Sequence, residues 1–409
     1  MATTANFNAM LKRYMPFELL VEEMKKRNYF WNKVNRKKGW KGGTMEVPFE
    51  GGEASSLNFG ALTSESDIAE GEYVMGLITA QPELWGTMVF NQKDLDRHGD
   101  MEASYLSLLP GKINQFIGRM TERVSLSLLG DGSIAVATID GTVGGVLGVD
   151  HPERFSRGEK VVVDDGNSAP ITGYVSEISI NTPKTITLVT ARGGATPVDL
   201  SPYTVAQAAK VYLPDAQTSG FTSLKSQLLS AANGGSASLF GQTKATYQYL
   251  QALNHDGSGI SATNVLSKMY DFYYDTVSLG KGNPTEIICS FKHFKNAAKD
   301  LETNRRFTVN DKKSGYGFRS LMLSGSEGDM TITAVRDMAD DFMGIMDWSA
   351  LDFHGDKFFD RQKNPDGDEF YTIRTTSGYK HIIDTKFYGD LVVAKPSHMG
   401  IIHGISYVG

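Results

Sequence analysis

The stretch NHDGSG, residues 254–259, brings together the side-chain types of a hydrolytic site. Ser258 offers a hydroxyl nucleophile, His255 an imidazole base, and Asp256 a carboxylate of the kind that orients an imidazole. A site of this class needs the three groups within hydrogen-bond reach of one another, and nothing in the sequence places them so. A hydrolase that uses this loop therefore stays as an alternative interpretation, in a different class from the one developed below.

The other motifs of enzyme chemistry are missing from the sequence. It contains no G-x-x-x-x-G-K followed by Ser or Thr and no G-x-S-x-G, and its Gly-x-Gly pairs lack the third glycine of a dinucleotide loop. The eight histidines are scattered, and none has the H-x-x-x-H spacing that puts two imidazoles on one helix face. We therefore predict no catalytic residue, no cofactor and no metal site, and we expect a protein that works through surface contacts.

The composition excludes several further classes of protein. The 409 residues carry 41 Lys and Arg against 47 Asp and Glu, a net charge of −6, which argues against a surface that is basic all over and coats nucleic acid. The single cysteine, Cys289, excludes an intrachain disulfide, and its apolar neighbours in EIICSF predict a small buried hydrophobic side chain. No apolar run reaches the roughly 18 residues of a membrane span, and no signal peptide opens the chain. We expect a protein made and kept in a reducing cytoplasm, or in something assembled there.

The first two segments differ sharply in charge. Residues 1–43 form a basic arm, with ten Lys and Arg against three Glu, and Phe17, Leu20, Val21 and Met24 fall on one face of a predicted helix. Residues 44–92 contain eight Asp and Glu residues and no Lys or Arg. This second segment begins and ends with alternating strands around a Gly- and Ser-rich middle, a pattern that predicts an extended hairpin with a long tip.

The pattern of the remaining residues predicts helices on both sides of an inserted β-module. A 3.6-residue period predicts a long helix within 93–130, kinked or started at Pro110 and ended by glycine. Residues 141–213 hold four short strands that predict a small barrel or sandwich. Helices are predicted at 222–232, at 262–279 with Ser261 as N-cap, and at 291–302. The stretch YTIRTTSGYKHIIDTKFYGDLVVAKPSHMGIIHGISY predicts four closing strands.

The order of these segments resembles that of the major capsid proteins of tailed bacteriophages, whose fold is shared with encapsulins and the herpesvirus capsid floor. GNPTEIICSFKHFKNAAKDL at 282–301 looks like that family's strand and A-domain helix. ITAVRDMADDFMGIMDWSAL at 332–351 and RTTSGYKHIIDTKFYGDLVVAKPSHMGII at 374–402 look like its late strands and closing sheet. The resemblance covers nearly the whole chain and rests on layout, with no invariant signature.

The resemblance implies an α+β capsid fold divided as in that family. Its parts are an N-arm (1–43), an E-loop hairpin (44–92), a P-domain spine helix (93–130), an inserted β-barrel module (141–213), an A domain (214–330) and a closing sheet shared between the P and A domains (331–409). The implied function is that of a structural, non-enzymatic subunit that assembles into hexamers and pentamers of an icosahedral shell around double-stranded DNA. An encapsulin-like compartment shell is the alternative within the fold, although the large insertion disfavours it.

The resemblance also implies partners and a location. The partners are other copies of the chain, a portal, a decoration protein and packaged DNA on the inner face, and no membrane is involved. The location is the virion, assembled in the bacterial host cytoplasm. Some family members cross-link through an E-loop lysine, which residues 44–92 lack, and some carry a cleaved N-terminal scaffolding domain, for which about 40 residues are too few. A separate scaffolding protein is therefore expected.

We expect the oppositely charged arm and hairpin to order on neighbouring subunits, with apolar anchors supplying affinity and charges setting register. The arm residues expected at these contacts are Phe17, Leu20, Lys25, Lys26, Arg27, Phe30, Trp31, Arg36, Lys37, Lys38 and Trp40. The hairpin residues are Glu53, Leu57, Phe59, Leu62, Glu65, Asp67, Glu70, Glu72 and Trp85. Contact of the arm with packaged DNA ranks below this inter-subunit role.

Overall fold

The computed structural model describes residues 17–41, 43–49, 74–79, 81–91, 101–130, 135–143, 146–166, 168–200, 209–216, 220–280, 282–304, 320–325, 328–356, 358–361, 363, 370–375 and 378–405. The α-helices of these residues are α1 (Phe17–Arg27), α2 (Tyr29–Lys33), α3 (Met101–Leu129), α4 (Leu224–Leu228), α5 (Val265–Leu279) and α6 (Phe291–Asn304). Short 3₁₀ turns lie at Pro152–Arg154, Ala231–Asn233, Gln248–Leu250, Trp348–Ala350 and Pro396–His398.

Strands make up most of the remaining structure. The first twelve are β1 (Asn35–Lys38), β2 (Met45–Phe49), β3 (Val74–Ile78), β4 (Glu83–Asn91), β5 (Ala137–Val143), β6 (Val146–Val149), β7 (Lys160–Asp164), β8 (Ile171–Ser179), β9 (Thr185–Val189), β10 (Lys210–Tyr212), β11 (Ser238–Leu239) and β12 (Gln242–Thr243). The others are β13 (Leu253–Asp256), β14 (Glu286–Cys289), β15 (Ser320–Gly325), β16 (Gly328–Ala334), β17 (Phe342–Met346), β18 (Leu351–Gly355), β19 (Phe359–Arg361), β20 (Tyr371–Thr375), β21 (Gly378–Tyr388), β22 (Asp390–Val393) and β23 (Gly400–His403).

The predicted α+β class with an inserted barrel is confirmed. Strands β5 to β10 close into a six-stranded barrel in the order β10-β5-β6-β9-β8-β7, so that the sheet has no free edge. Its interior is a separate hydrophobic core that includes Leu147, Val161, Val163 and Leu188, all without solvent exposure. The first barrel strand begins at Ala137, ahead of the predicted start at 141.

A mixed six-stranded sheet, in the order β13-β23-β17-β14-β16-β15, forms the second large unit. Helices α5 and α6 cover it, and Val265, Met269, Tyr273 and Thr276 on α5 are buried. Cys289 on β14 has no solvent exposure, which agrees with its prediction as a buried side chain.

The long predicted helix is present as α3, which runs without a break through Pro110, so the alternative start at that proline is wrong. It lies against β4, and Gly86 makes this approach possible. A Cβ at Gly86 would stand 2.6 Å from Cε2 of Phe116 and 2.9 Å from Sδ of Met120, both on α3. The glycine therefore sets how closely helix and sheet pack.

The hairpin of residues 44–92 pairs differently from the prediction. β2 pairs with β3, joining Met45 to Ile78 and Phe49 to Val74, whereas β4 pairs with β21 along all of its nine residues. The prediction that the first and last strands of this segment pair with each other is therefore wrong. The long β21 offers β4 a continuous antiparallel partner, and pairing this distant in sequence leaves no local signal.

The four closing strands are present, but they do not form one sheet. β21 pairs with β20, β19 and β4, β22 pairs with β18 in the sheet that also holds β1, and β23 lies between β13 and β17. The closing segment thus links three sheets, and the prediction of a single closing sheet is wrong.

Two helix predictions also need correction. The segment predicted as a helix at 222–232 contains only α4 and the 3₁₀ turn Ala231–Asn233, with left-handed Gly234 ending the turn. Helix α5 begins at Val265 with Asn264, not Ser261, as its N-cap residue, and the backbone N–H of Ser261 donates to Oδ1 of Asn264 over 2.7 Å.

Candidate functional site

The NHDGSG loop does not assemble a catalytic constellation. The Ser258 hydroxyl donates to Oδ2 of Asp256 over 2.9 Å, whereas Nε2 of His255 lies 2.9 Å from Oγ1 of Thr276. The His255 ring also stacks on Phe272 with centroids 4.9 Å apart, and burial lowers the pKa of this imidazole. The nucleophile therefore contacts the carboxylate directly, and the imidazole has its hydrogen bond elsewhere.

The cysteine and the metal-ligating side chain types do not form a reactive site in the described structure either. Burial raises the pKa of the Cys289 thiol far above its usual value, which disfavours the reactive thiolate. Across the described ranges, no three His, Cys, Asp or Glu side chains come together as a metal-ion site, and no helix is long and apolar enough to cross a membrane.

The carboxylate of Glu286, on β14, is buried and fully engaged. It accepts hydrogen bonds from the Tyr29 hydroxyl over 2.6 Å, from the Trp348 indole N–H over 2.8 Å, and from the Thr333 hydroxyl. Burial, together with the neighbouring Glu286, raises the pKa of Tyr29. The network ties helix α2 of the arm to the six-stranded sheet.

The second half of the predicted arm is packed into its own chain. Trp31 is buried, with its ring centroid 4.7 Å from that of Phe353 and 5.4 Å from that of Phe387, and Phe30 packs on Trp348 at 5.7 Å. Trp40 is likewise buried and donates its indole N–H to the Gly43 carbonyl over 2.9 Å. These buried side chains pack the arm against the rest of the chain and leave little surface for the contact with another copy that the sequence predicts.

Several predicted basic contacts also have partners within the chain. Lys25 and Lys26 pair with Glu22 and Glu23 on the same helix, and Lys37 lies 2.8 Å from the carboxylate of Asp352 across the parallel β1–β18 pair.

The Arg36 guanidinium lies 5.9 Å from the centre of the Trp31 ring, and burial lowers its pKa. In contrast, Lys38 and Lys41 are exposed at the end of the arm. Arg27 lies at the C-terminal end of α1, beside Gly118 of α3.

The predicted hairpin anchors fall mostly outside the described residues. Those outside are Glu53, Leu57, Phe59, Leu62, Glu65, Asp67, Glu70 and Glu72. For Phe17 and Leu20 the structure describes the backbone of helix α1 alone. The contact roles predicted for all of these residues remain predictions.

The described base of the hairpin has one buried face and one exposed face. Val47 and Phe49 point inward, and Phe49 stacks on Phe240 with ring centroids 6.3 Å apart. Met75 and Leu77 point outward and are nearly half exposed. This two-stranded sheet therefore presents apolar side chains to solvent beside the charged positions of the segment.

A second apolar surface lies on the sheet formed by β4, β21, β20 and β19. Trp85 is 51% exposed, Val89 40% and Ile373 43%, and alternation along the paired strands puts all three on the outer face. The Lys386 ammonium lies 5.6 Å from the Trp85 ring centre and 3.1 Å from the Glu83 carboxylate. We call the row Trp85, Val89 and Ile373 the outer-sheet patch.

The sequence predicts Trp85 as a contact residue but does not point to the exposed side chains of Val89, Ile373, Met75 and Leu77. The alternation within LWGTMVF shows that one face of β4 is buried, but it does not tell which other strands extend the opposite face. That information lies in the pairing with β21, a strand far away in sequence.

No protein-family model matches the sequence, and no curated protein does either. Among solved structures, the chain is similar to one in the cyanophage A-1(L) capsid asymmetric unit, with a TM-score of 0.48, 11% identity, and 92% of this chain and 91% of that chain covered. It is similar to a chain of the capsid of a native GTA particle, with a TM-score of 0.47, 9% identity, and 92% and 89% covered. It is also similar to a chain of the capsid of Myoviridae phage XM1, with a TM-score of 0.35, 10% identity, and 92% and 91% covered.

Proposed function

We propose that this chain is a structural subunit that assembles with copies of itself, as hexamers and pentamers, into the icosahedral capsid shell of a tailed phage around double-stranded DNA. The observation that carries the proposal is the presence of two separate apolar surfaces on one chain: the outer-sheet patch, and Met75 with Leu77 on the hairpin base. A subunit of a closed shell needs at least two different contact surfaces, because each copy meets several neighbours.

The architecture of the chain supports a role as a structural subunit of a shell better than a role as an enzyme. The hydrophobic core is divided among a barrel, a six-stranded sheet and a region where α2, α3 and the late strands meet. The hydrolase alternative needs Ser258 and His255 in contact, and these residues bind different partners. An encapsulin-like shell stays the alternative within the fold, and the barrel of residues 137–212 weighs against it.

The buried second half of the arm is held on its own subunit. We place the contacts with neighbouring subunits in the first half of the arm and in the hairpin. Phe30, Trp31 and Trp40 hold the arm on its own subunit, while the acidic hairpin and the exposed Lys38 and Lys41 contact neighbours. Each exposed ion pair contributes only about 0–1 kcal/mol, so the charges set register and the apolar patches supply most of the affinity.

The same proposal covers partners and location. A separate scaffolding protein, a portal and a decoration protein join the shell, DNA lies against its inner face, and assembly takes place in the bacterial host cytoplasm. The mildly acidic net charge of −6 suits a shell that lets DNA enter and leave without general adhesion.

A charge on the outer-sheet patch tests the contact role directly. We expect Val89→Glu to fold as wild type, because Val89 is exposed, but to lose high-mass particles in light scattering, because it places a carboxylate in an apolar contact. Ile180→Glu is the matched control, since Ile180 is an equally apolar exposed residue, at 60%, on the barrel. Particles of equal yield from Val89→Glu and wild type would exclude the patch from assembly.

A further inference from the structure

Two phenylalanines have a backbone conformation that their side chain disfavours. Among the described residues other than glycine, φ is positive at Asp215, Phe240, Asp337 and Phe358. Aspartate adopts the left-handed region several times more often than most residues, whereas a bulky side chain there is an outlier that needs a compensating contact. Phe358 has such a contact, because its ring centroid lies 6.3 Å from that of the buried Trp31 on α2. The contacts of Phe240 lead to the hairpin.

Phe240 begins the two-residue turn between β11 and β12. Leu239 pairs with Gln242 across this turn, and Phe240 and Gly241 have φ values of 47° and 85°. Positive φ at both central positions is the type I′ geometry, in which asparagine, aspartate or glycine is the usual first residue. The turn itself therefore gives no reason for a phenylalanine at this position.

The β11–β12 turn covers one edge of the hairpin base, which consists of β2 and β3. Among the described strands, these two pair only with each other. The Leu77 N–H donates to the Phe240 carbonyl over 2.8 Å, and the side-chain amide of Gln242 donates to the Met75 carbonyl over 2.7 Å. Residues two apart on a strand present their backbone groups to the same edge, so both hydrogen bonds lie on one edge of β3.

The Phe240 ring adds an apolar contact from the same turn. It stacks on the buried Phe49 of β2, with ring centroids 6.3 Å apart and an interplanar angle of 14°. Gly76 of β3 makes room for this pair, because an added Cβ would stand 2.5 Å from Cε2 of Phe49 and 3.0 Å from Cβ of Phe240. Leu239 belongs to the hydrophobic cluster that also contains Phe49. The turn therefore contacts the hairpin base through both backbone and side chains.

The other end of the β11–β12 hairpin is held by the body of the chain. The backbone N–H of Lys244 donates to the Ala237 carbonyl over 3.0 Å. The buried Lys244 ammonium donates to the carbonyls of Ser226 and Leu229, at the C-terminal end of α4, over 3.1 and 2.9 Å. The β11–β12 hairpin is thus fixed at its open end, while its turn holds the base of the longer hairpin.

We propose that the β11–β12 turn is a clamp that holds the hairpin base on its own subunit and sets the direction in which the hairpin leaves it. The clamp consists of two hydrogen bonds and one ring stack, and closing it requires a left-handed phenylalanine. Opening it returns Phe240 to a favoured conformation, which offsets part of the lost contacts. The hairpin base therefore opens as a unit of its own, separately from the barrel and the six-stranded sheet. The clamp is a property of the single subunit and does not depend on the proposed shell function.

Hydrogen exchange at the Leu77 amide measures the opening of the clamp, because this N–H bonds the Phe240 carbonyl. Phe240→Asn removes the ring and gives the Asn-Gly pair that type I′ turns prefer. In unassembled full-length protein, we expect this variant to exchange at Leu77 about tenfold faster than wild type, the order of an aromatic pair's contribution. Exchange in the barrel strand β7 should be unchanged. Phe240→Tyr keeps the ring and should exchange at Leu77 as wild type does.

Gln242→Ala tests the polar part of the clamp. It removes the hydrogen bond to the Met75 carbonyl and leaves the ring stack, so we expect about threefold faster exchange at Leu77 or more. The matched control is Asn233→Ala. The exposed amide of Asn233 donates to the Ser230 hydroxyl within its own 3₁₀ turn, and its loss should leave exchange at Leu77 unchanged.

Two results would overturn the proposal. The first is wild-type exchange at Leu77 in both Phe240→Asn and Gln242→Ala. The second is an equal acceleration at Leu77 and at Ile287 in the six-stranded sheet, which would show that Phe240 supports the fold as a whole. Neither result depends on particle formation, so the clamp and the shell function are tested separately.

Discussion

Trp31 and Trp85 carry the same side chain in opposite surroundings. Trp31 is enclosed by phenylalanine rings of β18 and β21, whereas half of the Trp85 surface faces solvent beside Lys386. From the sequence, both are aromatic residues in segments expected to contact neighbours. In the structure, Trp31 stabilises the core of its own chain, whereas Trp85 has exposed surface that another chain can contact.

Truncation of the two tryptophans should therefore have opposite effects. We expect Trp31→Ala to lower the free energy of unfolding by about 3–5 kcal/mol, because it leaves a large cavity in the main core. Trp85→Ala should change the unfolding free energy by less than about 0.5 kcal/mol and should reduce assembly. Denaturant unfolding and light scattering of the same samples measure the two effects, and a destabilised Trp85→Ala subunit would contradict this assignment.

Asp390 gives the fold a specific pH dependence. Its buried carboxylate accepts from the Thr222 N–H over 2.8 Å, from the Thr222 hydroxyl over 2.6 Å and from its neighbour's N–H over 2.9 Å, yet burial raises its pKa to about 6. The folded state therefore binds a proton at the Asp390 carboxylate more tightly than the unfolded chain does, where this aspartate has a pKa near 3.8. The stability contributed by the proton is complete below pH 3.8 and is lost as the pH rises through 6.

We expect Asp390→Asn to remove this dependence, because an amide does not titrate and still supplies an acceptor oxygen. Relative to wild type, the variant should gain about 2 kcal/mol of stability between pH 4 and pH 7, at roughly 1.4 kcal/mol per pKa unit. Thermal melts at both pH values measure the difference. A constant offset between the two proteins would show that Asp390 does not titrate in this range.

At the scale of elements, the positions of strands were easier to predict than their partners. The sequence predicts strands within 141–213 and in the closing stretch, where strands are present, and a helix at 262–279, which contains α5. The pairing of β4 with β21 was not predictable, since it joins residues about 300 positions apart. The division of the closing strands among three sheets was not predictable either, since β22 and β23 pair with strands outside the closing segment.

Two glycines test how α3 meets the sheet. We expect Gly86→Ala to destabilise the protein by about 1–3 kcal/mol, because its Cβ would overlap the Phe116 ring on α3. Gly111→Ala is the matched control: it lies on the exposed side of α3 with no atom within 4 Å of an added Cβ, and it should stabilise the helix by about 0.5–1 kcal/mol. Equal unfolding midpoints for both variants would contradict the packing of α3 on β4.

At the scale of the whole molecule, layout was the informative feature of the sequence. The charge contrast between the arm and the hairpin and the change from helical to strand patterning at the barrel indicated the order of the parts without any motif. The candidate surfaces were predicted only in part, because the sequence does not reveal that Phe30, Trp31 and Trp40 are enclosed by later strands. Exposed apolar rows become visible only once the sheets are formed.

The central claim is that copies of this chain close into a shell, and negative-stain electron microscopy tests it most directly. The purified full-length protein would be imaged alone and after co-expression with the products of its neighbouring genes. We predict closed icosahedral particles, or hexameric and pentameric tiles, that are lost in Val89→Glu and kept in Ile180→Glu. A stable monomer or small dimer under every condition would contradict the account.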